Sequence, residues 1–260
     1  MLKALNTAAT GMVAQQNRIH VISNNMANVN TTGFRRARAE FQDLLYQTLK
    51  TPGGQTAEGA TLPSGLQYGQ GTRTVATVHI HQQGSMKQTE NPLDIAIEGD
   101  GFLQIRRPNG DIAYSRAGNF KADPDGRLIT ADGFVLEPDI TVPPDASGIT
   151  VAPDGMVSVV TPGQQAAQQV GQIELARFIN PAGLRAVGHS LFMPTSASGE
   201  PMVAIPGQDG TGTLAQGFLE GSNVEVVNEM IDLITSQRAY DINQKVIEAS
   251  DEMLRRTTQR

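Results

Sequence analysis

The feature that most constrains this chain is a long stretch at its end that contains no helix-breaking residue. From Ser222 to Arg260 there is neither glycine nor proline, so nothing interrupts an α-helix there. Ser222 and Glu225 have the spacing of a capping box, which predicts that the helix begins at this point. At ~1.5 Å per residue such a helix is roughly 55 Å long. A helix longer than a small domain is wide needs partners along its side.

Apolar residues recur every seven positions in this stretch, which is the spacing of a coiled-coil seam. The apolar row is Val226, Leu233, Tyr240, Ile247 and Leu254, and the mostly polar row three residues before the last four is Met230, Gln237, Gln244 and Asp251. The first thirty residues repeat this construction with Leu5, Met12, Ile19 and Met26. Two narrow stripes at opposite ends of the chain predict that the ends pair as a coiled-coil stalk. The alternative is two amphipathic helices on one globular core, but core helices usually show a wider apolar face.

The middle of the chain changes from a helical to a strand-like pattern. Between residues 71 and 217, apolar residues alternate with polar ones, first at Ala76 and Val78 and again at Ile95 and Ile97. Clusters of Pro, Asn, Asp and Gly separate the later short apolar segments, as in antiparallel hairpins. These clusters end at Gly110, Gly126, Gly133 and Gly155.

Together these patterns predict an α+β fold. Residues 1–30 and 221–260 form the helical stalk, residues 31–70 form a connecting and extended arm, and residues 71–220 form a central antiparallel β-rich domain. Residues 37–50 carry apolar residues at helical spacing, which predicts a short helix within the arm; they are Phe41, Leu44, Leu45 and Leu49. The rest of the arm fits a loose linker or a segment ordered against neighbouring subunits.

Composition and charge exclude several classes of function. The chain has no cysteine, so disulfides and thiolate sites are impossible. Residues 1–41 contain five basic residues and one acidic residue, whereas residues 223–260 contain seven acidic and five basic residues, which modestly favours association of the two ends. The bases are dispersed and are not interleaved with stacking aromatics, so no nucleic-acid partner is expected. No apolar run is long enough for a transmembrane helix or a cleaved signal peptide, so neither is expected.

The sequence contains no complete motif for catalysis, metal binding or cofactor binding. His79 and His81 share one face of a strand, but no third ligand lies at a convincing spacing. Asp123 and Asp125 begin like a calcium loop but lack its later ligands, and a hairpin turn explains them better. Phosphate-binding loops and nucleophile elbows are absent from the sequence. The expectation is a protein that is not an enzyme and has no catalytic residues, no metal and no cofactor.

Three blocks of sequence resemble a known family. Residues 24–41 look like the N-terminal motif of bacterial flagellar rod and hook proteins, whose core is represented here by Ala27, Asn28, Thr31, Gly33 and Phe34. In this motif Gly33 is expected to end the first helix in the left-handed backbone region. Residues 93–136 resemble the family's central β-domain, and residues 219–254 resemble its C-terminal motif. The chain is therefore identified as similar to the bacterial flagellar basal-body rod protein family.

Within that family the chain is most similar to the distal rod branch. Residues 46–63, which include Tyr46, Pro52 and Pro63, look like the segment that sets the distal rod apart from the hook. The resemblance implies a structural axial protein that self-assembles helically into the distal rod, a drive shaft that transmits torque to the hook and encloses the export channel. The alternatives are a proximal rod protein of the same family and a secreted adhesin-like β-domain.

The resemblance also implies partners and a location. The expected partners are other copies of the chain in a helical homopolymer, other flagellar rod proteins, the hook protein, the surrounding L- and P-ring proteins and the flagellar export apparatus. The expected location is the flagellum basal body, as a rod that crosses the periplasm and outer membrane after export without a cleaved signal peptide.

Overall fold

The protein is α+β, with a long helix at each end and an antiparallel β-rich region between them. The computed structural model describes residues 2–51, 64–146, 148–162 and 167–258. The helices are α1 (Leu2–Ala27) and α2 (Val226–Thr258). The first ten strands are β1 (Ala37–Asp43), β2 (Gln47–Lys50), β3 (Leu66–Tyr68), β4 (Thr72–His79), β5 (Met86–Gln88), β6 (Ile95–Glu98), β7 (Phe102–Arg106), β8 (Ile112–Ser115), β9 (Lys121–Ala122) and β10 (Leu128–Ile129). The remaining strands are β11 (Val135–Glu137), β12 (Gly148–Val151), β13 (Met156–Val160), β14 (Gln168–Gln172), β15 (Leu175–Arg177), β16 (Arg185–Gly188), β17 (Leu191–Met193), β18 (Met202–Ala204), β19 (Thr213–Gln216) and β20 (Phe218–Glu220).

The chain divides into two compact units. The first unit combines the two chain ends with the segment after α1, and consists of Met1–Met26, Ala37–Val78 and Glu225–Arg260. The second unit consists of Ala27–Arg36 and His79–Val224. In the first unit β1 pairs with β4 and β2 pairs with β3.

The second unit is built on a nine-stranded sheet. Its main path runs β16-β17-β8-β7-β11-β10-β9, and β15 joins β7 and carries β18 beside it. Strand β7 is central, because Leu103 has Ser115 of β8 as its Cα partner on one side and Leu175 of β15 on the other. Three smaller sheets complete the unit: β12-β13-β14, β6-β19 and β5-β20.

Alternate side chains of this sheet belong to two different hydrophobic clusters. In β7, Leu103 and Ile105 belong to a large aliphatic cluster, whereas Phe102 belongs to an aromatic one. Successive strand residues point to opposite faces of a sheet, so both faces of β7 are covered. The aromatic cluster contains Phe102, Tyr114, Ala176, Phe178, Leu184 and Phe192.

The hairpins expected from the turn clusters are confirmed. Gly110 lies between β7 and β8 at φ +88°, and Gly133 lies between β10 and β11 at φ +82°. Gly126 and Gly155 separate β9 from β10 and β12 from β13. These glycines adopt the positive φ that such turns require.

Two local expectations are wrong. Residues 37–50 form no helix but contain β1 and β2, and Leu45 between them is 90 % exposed. Pairing of β1 with β4 overrides the helical spacing, because tertiary partners outweigh weak local propensity. Helix α2 begins at Val226 and not at a capping box on Ser222, whose Oγ accepts a hydrogen bond from the Val224 N–H at 3.3 Å.

Gly33 has the left-handed backbone expected of it. Its φ is +68°, and a Cβ at this position would lie 2.5 Å from the backbone nitrogen of Ala117. Both the conformation and the closeness of a neighbouring backbone exclude a side chain here. The turn that contains Gly33 can therefore pack against the backbone of Ala117 only because residue 33 is glycine.

We predict that Gly33→Ala destabilises the second unit more than Gly133→Ala does. At Gly133 no atom lies within 4 Å of an added Cβ, so that control carries only the positive-φ cost of about 1 kcal/mol. Gly33→Ala should cost about 2 kcal/mol more, because the new methyl group meets backbone that cannot move aside. Hydrogen exchange of the β7 and β8 amides measures the difference. Equal effects of the two substitutions would contradict the close packing at Gly33.

Candidate assembly interface

The two helices run antiparallel within the first unit, and side chains connect them. The contacts join Asn25 to Glu229 (3.2 Å), Arg18 to Asp232 (2.7 Å) and Gly11 to Asn243, whose Nδ2 would lie 3.0 Å from a Cβ on Gly11. From one contact to the next, the residue number falls in α1 while it rises in α2, so the two helices are antiparallel.

The apolar row of α2 lies on its inward side, but the second row differs from the expected one. Leu233, Tyr240, Ile247 and Leu254 are half-buried, while Val226, the first helical residue, is exposed. The expected second row at Met230, Gln237, Gln244 and Asp251 is exposed. The residues that are buried instead are Glu229, Ser236 and Ser250, with Asn243 half-buried. A heptad alternates spacings of three and four, and here the second row lies four residues before each apolar one.

The inward side of α1 combines two alanines with larger residues. Leu5, Met12, Ile19 and Met26 are each half-buried, whereas Ala8, Ala14, Ile22 and Asn25 are buried. Small side chains allow close approach of neighbouring backbone.

Asn25 is a buried residue that links three segments of the first unit, and no sequence motif marks it. Its Oδ1 accepts a hydrogen bond from the Ala37 N–H at 2.8 Å, and its Nδ2 donates to the Ala37 carbonyl at 2.8 Å. The same Nδ2 donates to the buried carboxylate of Glu229 at 3.2 Å. A side-chain amide with one acceptor and two donors can fulfil all three bonds, and it ties α1, α2 and the start of β1 together.

The residues of the N-terminal motif form one turn in the second unit. The Thr31 N–H donates to the Asn28 carbonyl at 3.1 Å, and the Thr31 hydroxyl donates to Asn28 Oδ1 at 3.1 Å. The Phe34 N–H donates to the Thr31 carbonyl at 3.3 Å, and the Gly33 N–H donates to the Glu220 carbonyl at 2.9 Å. Ala27 is exposed and Phe34 is half-buried.

A buried carboxylate lies between two buried arginines next to this turn. Glu220, Arg35 and Arg116 are 0 %, 2 % and 4 % exposed. Arg35 Nη2 donates to Glu220 Oε1 at 2.6 Å, and Arg116 Nε donates to Glu220 Oε2 at 2.8 Å. The Gly84 N–H also donates to Oε1 at 2.8 Å. We call these three charged residues the buried triad; because they lie far apart in sequence, no local pattern reveals it.

Burial and the Glu220 carboxylate shift the pKa of Arg35 in opposite directions. Burial lowers the pKa of Arg35, the Glu220 carboxylate opposes this, and the nearby Arg116 lowers the pKa further. Arginine still keeps its proton at neutral pH. Removal of one partner from such a group typically costs about 3–5 kcal/mol, since it leaves a buried charge unpaired.

His79 and His81 lie among aromatic rings. The His81 ring is 5.6 Å from Phe102 and 5.3 Å from Phe192, both edge-on, and His79 Nδ1 lies 3.2 Å from the Arg35 carbonyl. Burial, together with the charge of Arg35, lowers the pKa of His81 to about 4. Within the described ranges no three histidine or acidic side chains group as a metal site would require.

The segment expected to be specific to the distal rod is only partly described. Tyr46 is exposed, as are Leu45 beside it and Leu49 in β2. Pro52 and Pro63 lie outside the described residues. In the part of the chain that the structure describes, neither helix has the length and apolar character needed to cross a membrane.

Comparison with known proteins now identifies the family. Residues 5–35 match the model of the flagella basal body rod protein, residues 96–159 that of the flagellar hook protein FlgE/F/G D1 domain, and residues 215–260 that of the flagellar basal body rod FlgEFG protein C-terminal region. A flagellar basal-body rod protein FlgG of Caulobacter vibrioides is 49 % identical over 99 % of this chain and 99 % of its own length. The chain belongs to the flagellar basal-body rod protein family.

Other members of the family are similar over the same extent. A FlgG protein of Borreliella burgdorferi is 48 % identical over 98 % of this chain and 97 % of its own. A FlgG protein of Bacillus subtilis is 40 % identical over 98 % of this chain and 97 % of its own.

The buried triad takes one residue from each family segment. Arg35 ends the N-terminal match, Arg116 lies in the central match and Glu220 lies in the C-terminal match. The three regions that define this rod protein family therefore meet at one carboxylate.

We predict that acid weakens the second unit through His81. The unfolded chain takes up the proton near pH 6.5, whereas the folded ring resists it until about pH 4. Stability should therefore fall as pH drops through this window, by about 3 kcal/mol in total. Urea unfolding of the protein and of His81→Phe, followed by circular dichroism at several pH values, measures this contribution.

The comparison between the two proteins isolates the imidazole, because every other titrating group is shared. The variant His81→Phe should lose less stability than the unchanged protein between pH 6.5 and pH 4. Phenylalanine should pack well at this position because the neighbouring side chains are aromatic. Parallel pH profiles for the two proteins would show that His81 does not resist protonation.

Proposed function

We propose that the chain is a structural axial protein that self-assembles helically into the distal rod of the bacterial flagellum. The observation that carries this proposal is similarity over nearly the full chain to proteins named flagellar basal-body rod protein FlgG. The activity is assembly and stiffness: the rod transmits torque to the hook and encloses the export channel. The family is a structural one and not an enzyme family.

The exposed face of α2 supports assembly through the terminal helices. A second apolar stripe lies opposite the inward row and consists of Val227, Ile231, Ile234, Ile242 and Met253. Each of these side chains is at least 47 % exposed. Exposed apolar residues grouped on one helix face are typical of protein–protein interfaces, and other copies of the chain would cover them.

We further propose that α1 and α2 pair as a coiled-coil stalk. The alternation of three and four residues along the inward face of α2 supports this pairing, as do the antiparallel contacts of Asn25 and Arg18 with the other helix. Leu5, Met12, Ile19 and Met26 would form its seam with Leu233, Tyr240, Ile247 and Leu254, and Val226 would begin the row. Residues 1–30 and 221–260 would be the stalk, residues 31–70 the connecting arm and residues 71–220 the central domain.

The proposed neighbours follow from the proposed place. Beyond further copies of this chain they are other flagellar rod proteins, the hook protein, the L- and P-ring proteins and the export apparatus. The rod would cross the periplasm and outer membrane. Tyr46, Pro52 and Pro63 mark the segment that would contact neighbouring subunits, which the exposure of Tyr46 and Leu45 supports.

We predict that the purified full-length chain forms straight tubes in electron microscopy, and that Leu233→Asp or Ile247→Asp abolishes them. Each substitution places an unpaired carboxylate on the inward face of α2, where desolvation of the charge opposes helix packing. The strands of the second unit should stay folded in both variants, as measured by hydrogen exchange of β7.

Gln237→Asp is the matched control, because it adds the same charge to an exposed position on the same helix. This variant should form tubes as the unchanged protein does. If Leu233→Asp and Ile247→Asp also form normal tubes, the terminal helices do not drive assembly.

A further inference from the structure

The second unit contains a cavity whose lining carries more positive charge than the described residues neutralise. It measures about 220 Å³. Arg35 and Arg116 belong to its lining, Arg177 and Asp100 are its other charged residues, and His81 contributes an imidazole ring. Nothing in the assembly role of the terminal helices requires this cavity.

Arg35 has more hydrogen-bond donors than partners. Its Nη2 donates to Glu220, but within the described ranges Nε and Nη1 have no partner although both are buried. A guanidinium carries five N–H groups, and three of them are on these two nitrogens. Buried donors are satisfied in nearly all protein structures, and each one left unsatisfied costs about 1–3 kcal/mol.

The charge count at this point leaves one positive charge uncompensated. Arg35 and Arg116 share a single carboxylate, that of Glu220. Each nitrogen of the Arg116 guanidinium has an acceptor, because Nη1 also donates to the Gly99 and Gly101 carbonyls at 2.8 Å each and Nη2 donates to the Ile97 carbonyl at 3.4 Å. The uncompensated charge therefore lies at Arg35. Asp100 does not neutralise it, since no ion pair connects Asp100 to an arginine within the described ranges.

The remaining walls favour an anion that has an apolar end. Phe102 and Phe178 meet edge-to-face at 5.8 Å, and Ile179 and Pro181 complete this side. The ring of His81 is buried, and the Pro181 backbone is the hydrogen-bond partner that acts on it. Since burial and the nearby arginines lower the pKa of His81, its ring is neutral at neutral pH and adds no competing charge.

Arg177 provides a second cation in the lining. Its Nη1 donates to the Asp209 carbonyl at 3.3 Å, and the rest of its guanidinium is available within the described part of the chain. A planar carboxylate matches the fork of a guanidinium better than a spherical ion does.

We propose that this cavity is a binding site for a carboxylate attached to a small apolar group, with Arg35 and Arg177 as its cationic partners. The carboxylate is either a free small acid or an acidic side chain of a second copy of this chain. In both cases it neutralises the uncompensated positive charge and satisfies donors that the chain leaves unpaired.

The test compares propionate with propionamide, its neutral counterpart of equal shape. Thermal unfolding of the full-length chain is followed at constant ionic strength, with sodium propionate replacing sodium chloride in one series and propionamide added to a constant concentration of sodium chloride in the other. Propionate should raise the midpoint saturably, since a ligand of the native state stabilises it by mass action, and propionamide should not. Equal responses to the two compounds would mean that ordered water fills the cavity, which overturns the proposal.

Arg177→Gln and Arg185→Gln form the matched pair of variants. Arg185 is exposed in β16 and is not part of the cavity lining. Arg177→Gln should weaken the apparent affinity for propionate by about tenfold, the effect of one charge-assisted hydrogen bond, whereas Arg185→Gln should leave it unchanged. Equal affinities of the two variants would remove Arg177 from the site.

Assembly kinetics distinguish the two sources of the carboxylate. If an acidic side chain of a second copy occupies the cavity, saturating propionate and Arg177→Gln should both slow tube formation. If the ligand is a free acid, tube formation should be unaffected while the thermal shift persists. The thermal test does not depend on assembly, so it can fail or succeed independently of the proposed rod function.

Discussion

The fold of the second unit depends on the buried carboxylate of Glu220. This group lies just before the chain leaves for α2, and it binds Arg35, which follows the turn after α1. Nearby, Asn223 accepts a hydrogen bond from the Arg36 N–H and donates to the Ile80 carbonyl. Segments 33–36, 79–85 and 220–223 are thus held side by side by charged and amide side chains. Because a lone buried charge is so costly, the three segments are mutually dependent, and none can be repacked alone without loss.

The two terminal helices contact each other through polar as well as apolar side chains. The inward face of α2 alternates apolar residues with Glu229, Ser236, Asn243 and Ser250, so a single chain gains little apolar burial from it. Polar residues in such a seam cost stability but select one register and orientation, and the bond from Asn25 to Glu229 shows how one register is specified here. Meanwhile the opposite face leaves Ile231 and Ile242 exposed. The modest internal pairing and the exposed apolar face of α2 fit the proposed assembly through the terminal helices.

The sequence reveals those parts of this structure that repeat locally. Spacing by sevens placed Leu233, Tyr240, Ile247 and Leu254 on one face, and glycine-rich clusters located the hairpins. A row of sevens cannot tell whether its partner row lies three or four residues before it, which is why Met230 was placed inward and Glu229 was overlooked. The short helix at 37–50 failed because a strand partner more than thirty residues later in the chain decides its conformation. The buried triad joins residues 35, 116 and 220, and no local pattern records a contact of that range.

The hydrogen bond between Asn25 and Glu229 joins residues that lie 204 positions apart in the sequence. This separation determines when the first unit can form during synthesis. During synthesis α1 is made well before α2, the helix that covers its inward side. An isolated helix in water is marginal, and contacts between distant residues form slowly. The first unit therefore cannot close before α2 has been made, and any product that lacks α2 also lacks this unit.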